Sequence, residues 1–175
     1  MEFLNVIKDA IPDYAKDVRL NLDGVVGRSS LDAADALGVA LAAAYAARSK
    51  TIVDAIRSSG ALPDVDANAA LAAAALMGMN NVWYPYVEMA ADEDLRTQRP
   101  ELRMNVYATH GGVDRKRFEL FALAASIVGK CHFCVQSHYK LLKENGMTAQ
   151  QLRDVGRIAA VVAAAANALE IGAAG

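Results

Sequence analysis

Apolar positions recur at helical spacing along most of the chain, broken by glycine, proline and short polar runs. Phe3, Leu4 and Ile7 open an amphipathic segment that stops before Pro12, and residues 13–22 can continue as a second short helix. "GRSSLDAADALGVALAAAYAARSKTIVDAIRSSG" follows, with Ser30 or Asp32 placed to cap its start and Gly60 its end. "LPDVDANAALAAAALMGMNNVWY" begins after a turn and is expected to stop near Pro85, whose ring obstructs a continuing helix. Residues 91–112 are the most polar stretch and predict a connection with one short helix. Three further helices are predicted in "DRKRFELFALAASIVG", "KCHFCVQSHYKLLKENG" and "TAQQLRDVGRIAAVVAAAANALEIG", the second ended by Asn145-Gly146.

Composition turns this pattern into a fold class. The chain holds 36 alanines among 175 residues, 6% aromatics and four prolines, and its β-branched residues do not gather in alternating runs. An all-α, compact helical bundle is expected, with small side chains letting helices approach closely. The length suits a single domain, residues 1–175. A weak internal repeat pairs residues of about 33–90 with 119–175 at an offset of 86: Gly60 falls on Gly146, Asn81 on Asn167 and Leu37 on Leu123. In that register Cys131, Cys134 and His138 fall on Tyr45, Arg48 and Ile52, so only the second unit carries chemistry.

Charge removes several function classes. The formal net charge is -2 and there is no basic run, which leaves nucleic acid without an electrostatic footprint. The N-terminus lacks the positive region and long apolar block of a signal peptide, and the alanine-rich stretches 69–78 and 158–169 fall short of the about 20 apolar residues that span a bilayer. A soluble, cytoplasmic protein is expected, in a compartment where paired cysteines are more often catalytic or metal-binding than permanent cross-links.

Both cysteines of the chain lie in "GKCHFCVQSHYK". A helix starting near Gly129-Lys130 would hold Cys131 and Cys134 in its first turn, where free backbone N–H groups and the dipole favour thiolate over thiol. His138 stands four residues beyond Cys134 and seven beyond Cys131, on the same helix face, where it can shuttle a proton to a sulfur. Three readings stay open on these residues: a redox dithiol, a zinc or iron site, or inert core cysteines. The metal reading lacks a second ligand pair, since His110 stands alone in a loop-like context and His132 projects from another part of the helix; a surface imidazole describes both. Glu119 is the only charged side chain between Arg117 and Lys130. It either reaches a helix contact facing His138 or a sulfur, or lines a solvated helix edge. Asn80, Asn81 and Asn167 lie in apolar helices and are expected to satisfy buried partners, Met77, Met79 and Met104 to fill the core. Trp83, Tyr84 and Tyr86 suit a core, a site wall or an oligomer contact equally.

Taken together, "FEL…SIVGKCHFCVQSH", "PDYAKDVRLNL", "ALMGMNNVWY" and "ELRMN" resemble the alkylhydroperoxidase D (AhpD) family, within the carboxymuconolactone-decarboxylase-like superfamily, over nearly the whole chain. The resemblance implies a duplicated helical unit and a homotrimer with no bound cofactor. It implies an enzyme that reduces alkyl hydroperoxides, or passes electrons to the peroxiredoxin alkyl hydroperoxide reductase C, drawing them from dihydrolipoamide on a dihydrolipoamide acyltransferase. Cys134 would be the thiol oxidised to sulfenic acid, Cys131 would close a redox-active disulfide with it, and Glu119 and His138 would form a proton relay. An alternative is a dedicated disulfide reductase with little direct peroxidase activity, or a metal-bound structural module. One departure stands out: where the family often has a histidine before the second cysteine, this chain has Phe133, with His132 one place earlier. A shift of one residue turns a helical side chain by roughly 100°, so no role passes to His132.

Overall fold

The computed structural model describes residues 2–172, with side chains from residue 4 onward; residues 1 and 173–175 and the side chain of Phe3 lie outside the described residues. Ten α-helices follow one another: α1 Glu2–Ala10, α2 Lys16–Val26, α3 Ala33–Ala46, α4 Lys50–Ser58, α5 Asp64–Ala90, α6 Glu93–Thr97, α7 Val106–Thr109, α8 Arg115–Gly129, α9 His132–Glu144 and α10 Ala149–Gly172. Short 3-10 turns occupy Asp13–Ala15 and His110–Gly112. The fold is all-α, as the alanine-rich, proline-poor composition implies.

Helices α3, α5 and α8 pack on one another, and α10 lies across α2, α3 and α8. Their shared faces are built from small residues, among them Ala40, Ala43, Ala70, Ala73, Ala122 and Ala125, all at most 2% exposed. Such side chains bring the helix axes close. At Gly38 the approach leaves no room for a side chain, because a Cβ there would stand 2.2 Å from the Phe121 ring. By length and composition α10 could cross a membrane, and it is longer than residues 158–169 suggest. Its contacts with α2, α3 and α8 instead employ it as a core helix, with Asp154 buried.

Several boundaries differ from the sequence expectation. The segment after Asp32 divides at Arg48, whose φ of 61° ends α3, and the Ser49 hydroxyl caps α4 by accepting from the Ile52 N–H at 3.4 Å. Asp32, not Ser30, caps α3 through the Asp35 N–H. Ser30 donates its N–H and its hydroxyl to Asp154, each at 2.8 Å. Burial alone would raise the Asp154 carboxyl, but these two bonds, with Arg153 and Arg157, hold it well below the usual carboxylate range. Helix α5 runs through Pro85 to Ala90 instead of stopping there. Proline removes one helical hydrogen bond, while stacking of Tyr84 on Phe133, centroids 4.4 Å apart, ties this turn to α9. The connection 91–112 holds two short helices and a 3-10 turn where one helix was expected. Asn167 is exposed rather than paired in the interior.

One cluster fixes α8 at its start. The Arg117 guanidinium bonds Asp35 at 2.8 Å and Asp66 at 3.0 Å and approaches Asp32 at 3.6 Å, joining α8 to α3 and α5. Burial, then the neighbouring Asp32, pushes the Asp35 carboxyl up against the pull of Arg117. Two residues further along α8 stands Glu119.

Candidate active site

Helix α8 begins at Asp114, whose carboxylate accepts from the Arg117 N–H at 3.0 Å, and ends at Lys130 in the left-handed region, φ 56°. The turn is closed by Lys130 N–H to the Ile127 carbonyl and Cys131 N–H to the Ser126 carbonyl, at 3.1 and 3.3 Å. That stop aims the chain straight into α9. Cys131 is the N-cap of α9, its Sγ accepting from the Cys134 N–H at 3.2 Å. Cys131 and Cys134 are joined by a disulfide, Cα atoms 5.3 Å apart, and are 0% and 3% exposed. Both sulfurs therefore sit at the positive end of a helix, where a thiolate is stabilised once the bond opens. In the closed state neither offers a thiolate to a metal.

One turn further on, His138 is buried and engages partners through both ring nitrogens. Nδ1 lies 2.5 Å from Oε2 of Glu119, and Nε2 lies 3.2 Å from the Met77 sulfur. Glu119 is 5% exposed and His138 6%, so the solvated-edge reading of Glu119 gives way to the buried one. The cause is the face on which Glu119 falls: α8 turns Ala122, Ser126 and Glu119 together toward its neighbours, and small residues leave room there for a carboxylate. Arg115 Nε stands 4.0 Å from the other carboxylate oxygen, from an exposed position.

A cavity of about 510 Å³ opens on this pair, lined by Tyr107, His110, Arg115, Glu119, Ser137 and His138. The Tyr107 hydroxyl is pushed up to about 12, first by burial and then by the charges of Glu119 and Tyr84. It remains a neutral phenol at any ordinary pH. His110 is not a free surface imidazole; it packs on Phe118 with centroids 5.8 Å apart and borders the cavity. His132 does lie on the surface, 3.5 Å from Glu88. Beside it a second cavity of about 540 Å³ is walled by Trp83, Tyr84, Leu95 and Phe133.

Residues 93–174 match the model of the Carboxymuconolactone decarboxylase family. Over 169 residues the chain is 42% identical to the alkyl hydroperoxide reductase AhpD of Rhodospirillum centenum, covering 95% of this chain and 90% of the relative. The chain belongs to the AhpD family. The AhpD of Rhizorhabdus wittichii is 41% identical over 94% of this chain and 95% of its own length, and that of Brucella canis 40% over 94% of each. Glu119, Cys131, Cys134 and His138 all fall within the matched residues 93–174.

Two neighbours of the pair escaped the sequence reading. Met77 is fully buried, which suits core filling, yet its sulfur touches His138; only the three-dimensional packing of α5 on α9 reveals this. Tyr107 lies in the polar connection, where no periodicity singles it out. Asn80, expected to have a buried partner, directs its amide toward the Met104 sulfur at 4.0 Å, and Asn81 donates to the Ala125 carbonyl at 3.1 Å.

Proposed function

We propose that this single-domain protein is an antioxidant thiol peroxidase and disulfide reductase that reduces alkyl hydroperoxides by cycling Cys131 and Cys134 between dithiol and disulfide. The observation that carries the reading is the buried Glu119–His138 pair at 2.5 Å, in which Glu119 reaches from α8 to His138 on α9, the helix that begins at the two cysteines. The naming of its 40–42% identical relatives as alkyl hydroperoxide reductases supports the substrate class.

The Cys134 thiolate attacks the distal peroxide oxygen; an S–O bond forms, the O–O bond breaks, and the departing alkoxide takes a proton from the His138–Glu119 pair and leaves as alcohol. Cys134 is then a sulfenic acid. Cys131 gives up its thiol proton and attacks that sulfur; the S–O bond breaks, the disulfide closes, and the departing hydroxide takes the proton and leaves as water. Two electrons have passed from the dithiol to the peroxide. Dihydrolipoamide, carried on a dihydrolipoamide acyltransferase, restores the dithiol by thiol–disulfide exchange, and the reduced dithiol passes electrons by the same chemistry to the disulfide of alkyl hydroperoxide reductase C. The setting is the reducing cytoplasm. A homotrimer fits the exposed apolar stripe of Val82, Tyr86 and Met89 along α5, 69%, 50% and 78% exposed.

A dedicated disulfide reductase with little direct peroxidase activity is the second reading, in keeping with the closed Cys131–Cys134 pair at the start of α9. Stopped-flow rates of the reduced protein with cumene hydroperoxide and with an oxidised peroxiredoxin separate the two. Comparable oxidation by both is expected; reaction with the peroxiredoxin alone selects the second reading. Thiols that survive both oxidants, in protein carrying stoichiometric metal, would instead point to a metal-bound structural module.

A further inference from the structure

His138 uses both nitrogens, and the identity of the two partners fixes where its protons lie. A thioether sulfur has lone pairs and no hydrogen, so it can only accept. Met77 is 0% exposed and its Sδ stands 3.2 Å from Nε2. A bare Nε2 would set one lone pair against another at that separation, which is repulsive; Nε2 therefore carries a hydrogen directed at sulfur. On the other side, Nδ1 and the Glu119 oxygen at 2.5 Å need one proton between them. The pair thus holds two protons, a formally neutral imidazolium–carboxylate, while the disulfide is closed.

We infer that Met77 is a positioning residue of the proton relay: its sulfur holds the Nε2–H of His138 and so keeps the Glu119–His138 pair loaded with the proton that the leaving alkoxide requires. This rests on the peroxidase reading for its purpose, though not for the protonation state itself. A weak acceptor suits the task. A carboxylate at this position would hold the proton too strongly to release, whereas an alkyl group would leave a buried N–H unpaired and favour its loss. The other titratable or charged groups around the ring are Glu119 and Arg115 on α8, Tyr107 on α7 and His110 in the turn after it. Substitution at Met77 changes none of them.

Imidazole 15N spectra of the oxidised protein at neutral pH test this without any turnover. In the wild type His138 should show a protonated Nε2. Met77→Leu, which keeps the volume but not the acceptor, should move the Nε2 resonance toward that of an unprotonated ring nitrogen in the same spectrum. Peroxide turnover at neutral pH should fall with it, about 10-fold. Met77→Gln, which offers an amide oxygen, should restore both. A bare Nε2 in the neutral wild-type protein overturns the inference even if the leucine variant fails to fold, as does a Met77→Leu spectrum identical to that of the wild type. Absent peroxide turnover with the expected spectra would strike the proposed activity alone.

Discussion

The junctions α3–α4 and α8–α9 are built alike and differ in chemistry. Each ends its first helix at a basic residue with positive φ, Arg48 at 61° and Lys130 at 56°. Each closes the turn with the same pair of backbone bonds, Arg48 to Tyr45 and Ser49 to Ala44 in one, Lys130 to Ile127 and Cys131 to Ser126 in the other. Each then caps the next helix with a side chain three residues ahead of the N–H it accepts, the Ser49 hydroxyl in one and the Cys131 disulfide sulfur in the other. At a constant offset of 82, Leu37, Ser49, Ile52 and Ile56 correspond to Glu119, Cys131, Cys134 and His138. Four side-chain differences on one backbone design separate an inert junction from a candidate redox centre. At both junctions the backbone supplies only the helix-end field and the cap; on the proposed reading, proton transfer falls to Glu119 and His138.

This correspondence replaces the offset of 86 found in the sequence. That offset holds after the second helix of each unit, where Gly60 and Gly146 both take positive φ. Helix α9 runs for 13 residues against nine in α4, and those four extra residues change the register from 82 to 86.

Transplanting the cysteines gives the largest expected contrast. With Cys131 and Cys134 changed to serine, Ser49→Cys and Ile52→Cys should form a disulfide at the first junction, detectable by peptide mass. Peroxide turnover of that protein should stay more than about 100-fold below wild type, since Leu37 and Ile56 offer no proton path. Turnover near the wild-type rate would mean that the helix end alone suffices. Next in size, Glu119→Gln should slow peroxide reduction about 10- to 100-fold, as expected when a proton-transfer group is lost. The matching change Leu37→Ala should do the reverse, lowering stability by about 2–5 kcal/mol in denaturant titrations while the rate per folded molecule holds. Wild-type turnover in Glu119→Gln would make the carboxylate a structural group only.

The smallest expected effect tests the shared backbone itself. Arg48→Gly and Lys130→Gly each relieve a left-handed residue, worth about 1–2 kcal/mol, against an unfolded-state entropy cost of roughly 0.5–1 kcal/mol. Both should change stability slightly, and by amounts within about 0.5 kcal/mol of each other. Opposite signs would show that the junctions are not equivalent.

Fold class and most helices were legible because alanine content, caps and glycine stops are local signals: Asp32 and Asn145-Gly146 behaved as their chemistry dictates. The helix through Pro85 was not, because whether a chain continues past proline depends on tertiary packing, here including Tyr84 on Phe133 of α9, which no local signal carries. In the site, Cys131, Cys134 and His138 announced themselves by spacing within a single helix. Glu119 was ambiguous because its burial depends on what α8 packs against, and Met77 was invisible as a ligand of His138 because 61 residues separate them.

If the second junction works as a proton-coupled dithiol, its two thiols must be consumed as a pair. Anaerobic titration of the fully reduced protein with an alkyl hydroperoxide, counting thiols and peroxide together, measures this. Two thiols lost and one alcohol formed per peroxide are expected, with the Cys131–Cys134 disulfide as the product. Thiols that persist at excess peroxide, or a stable sulfenic acid with no disulfide, would contradict this.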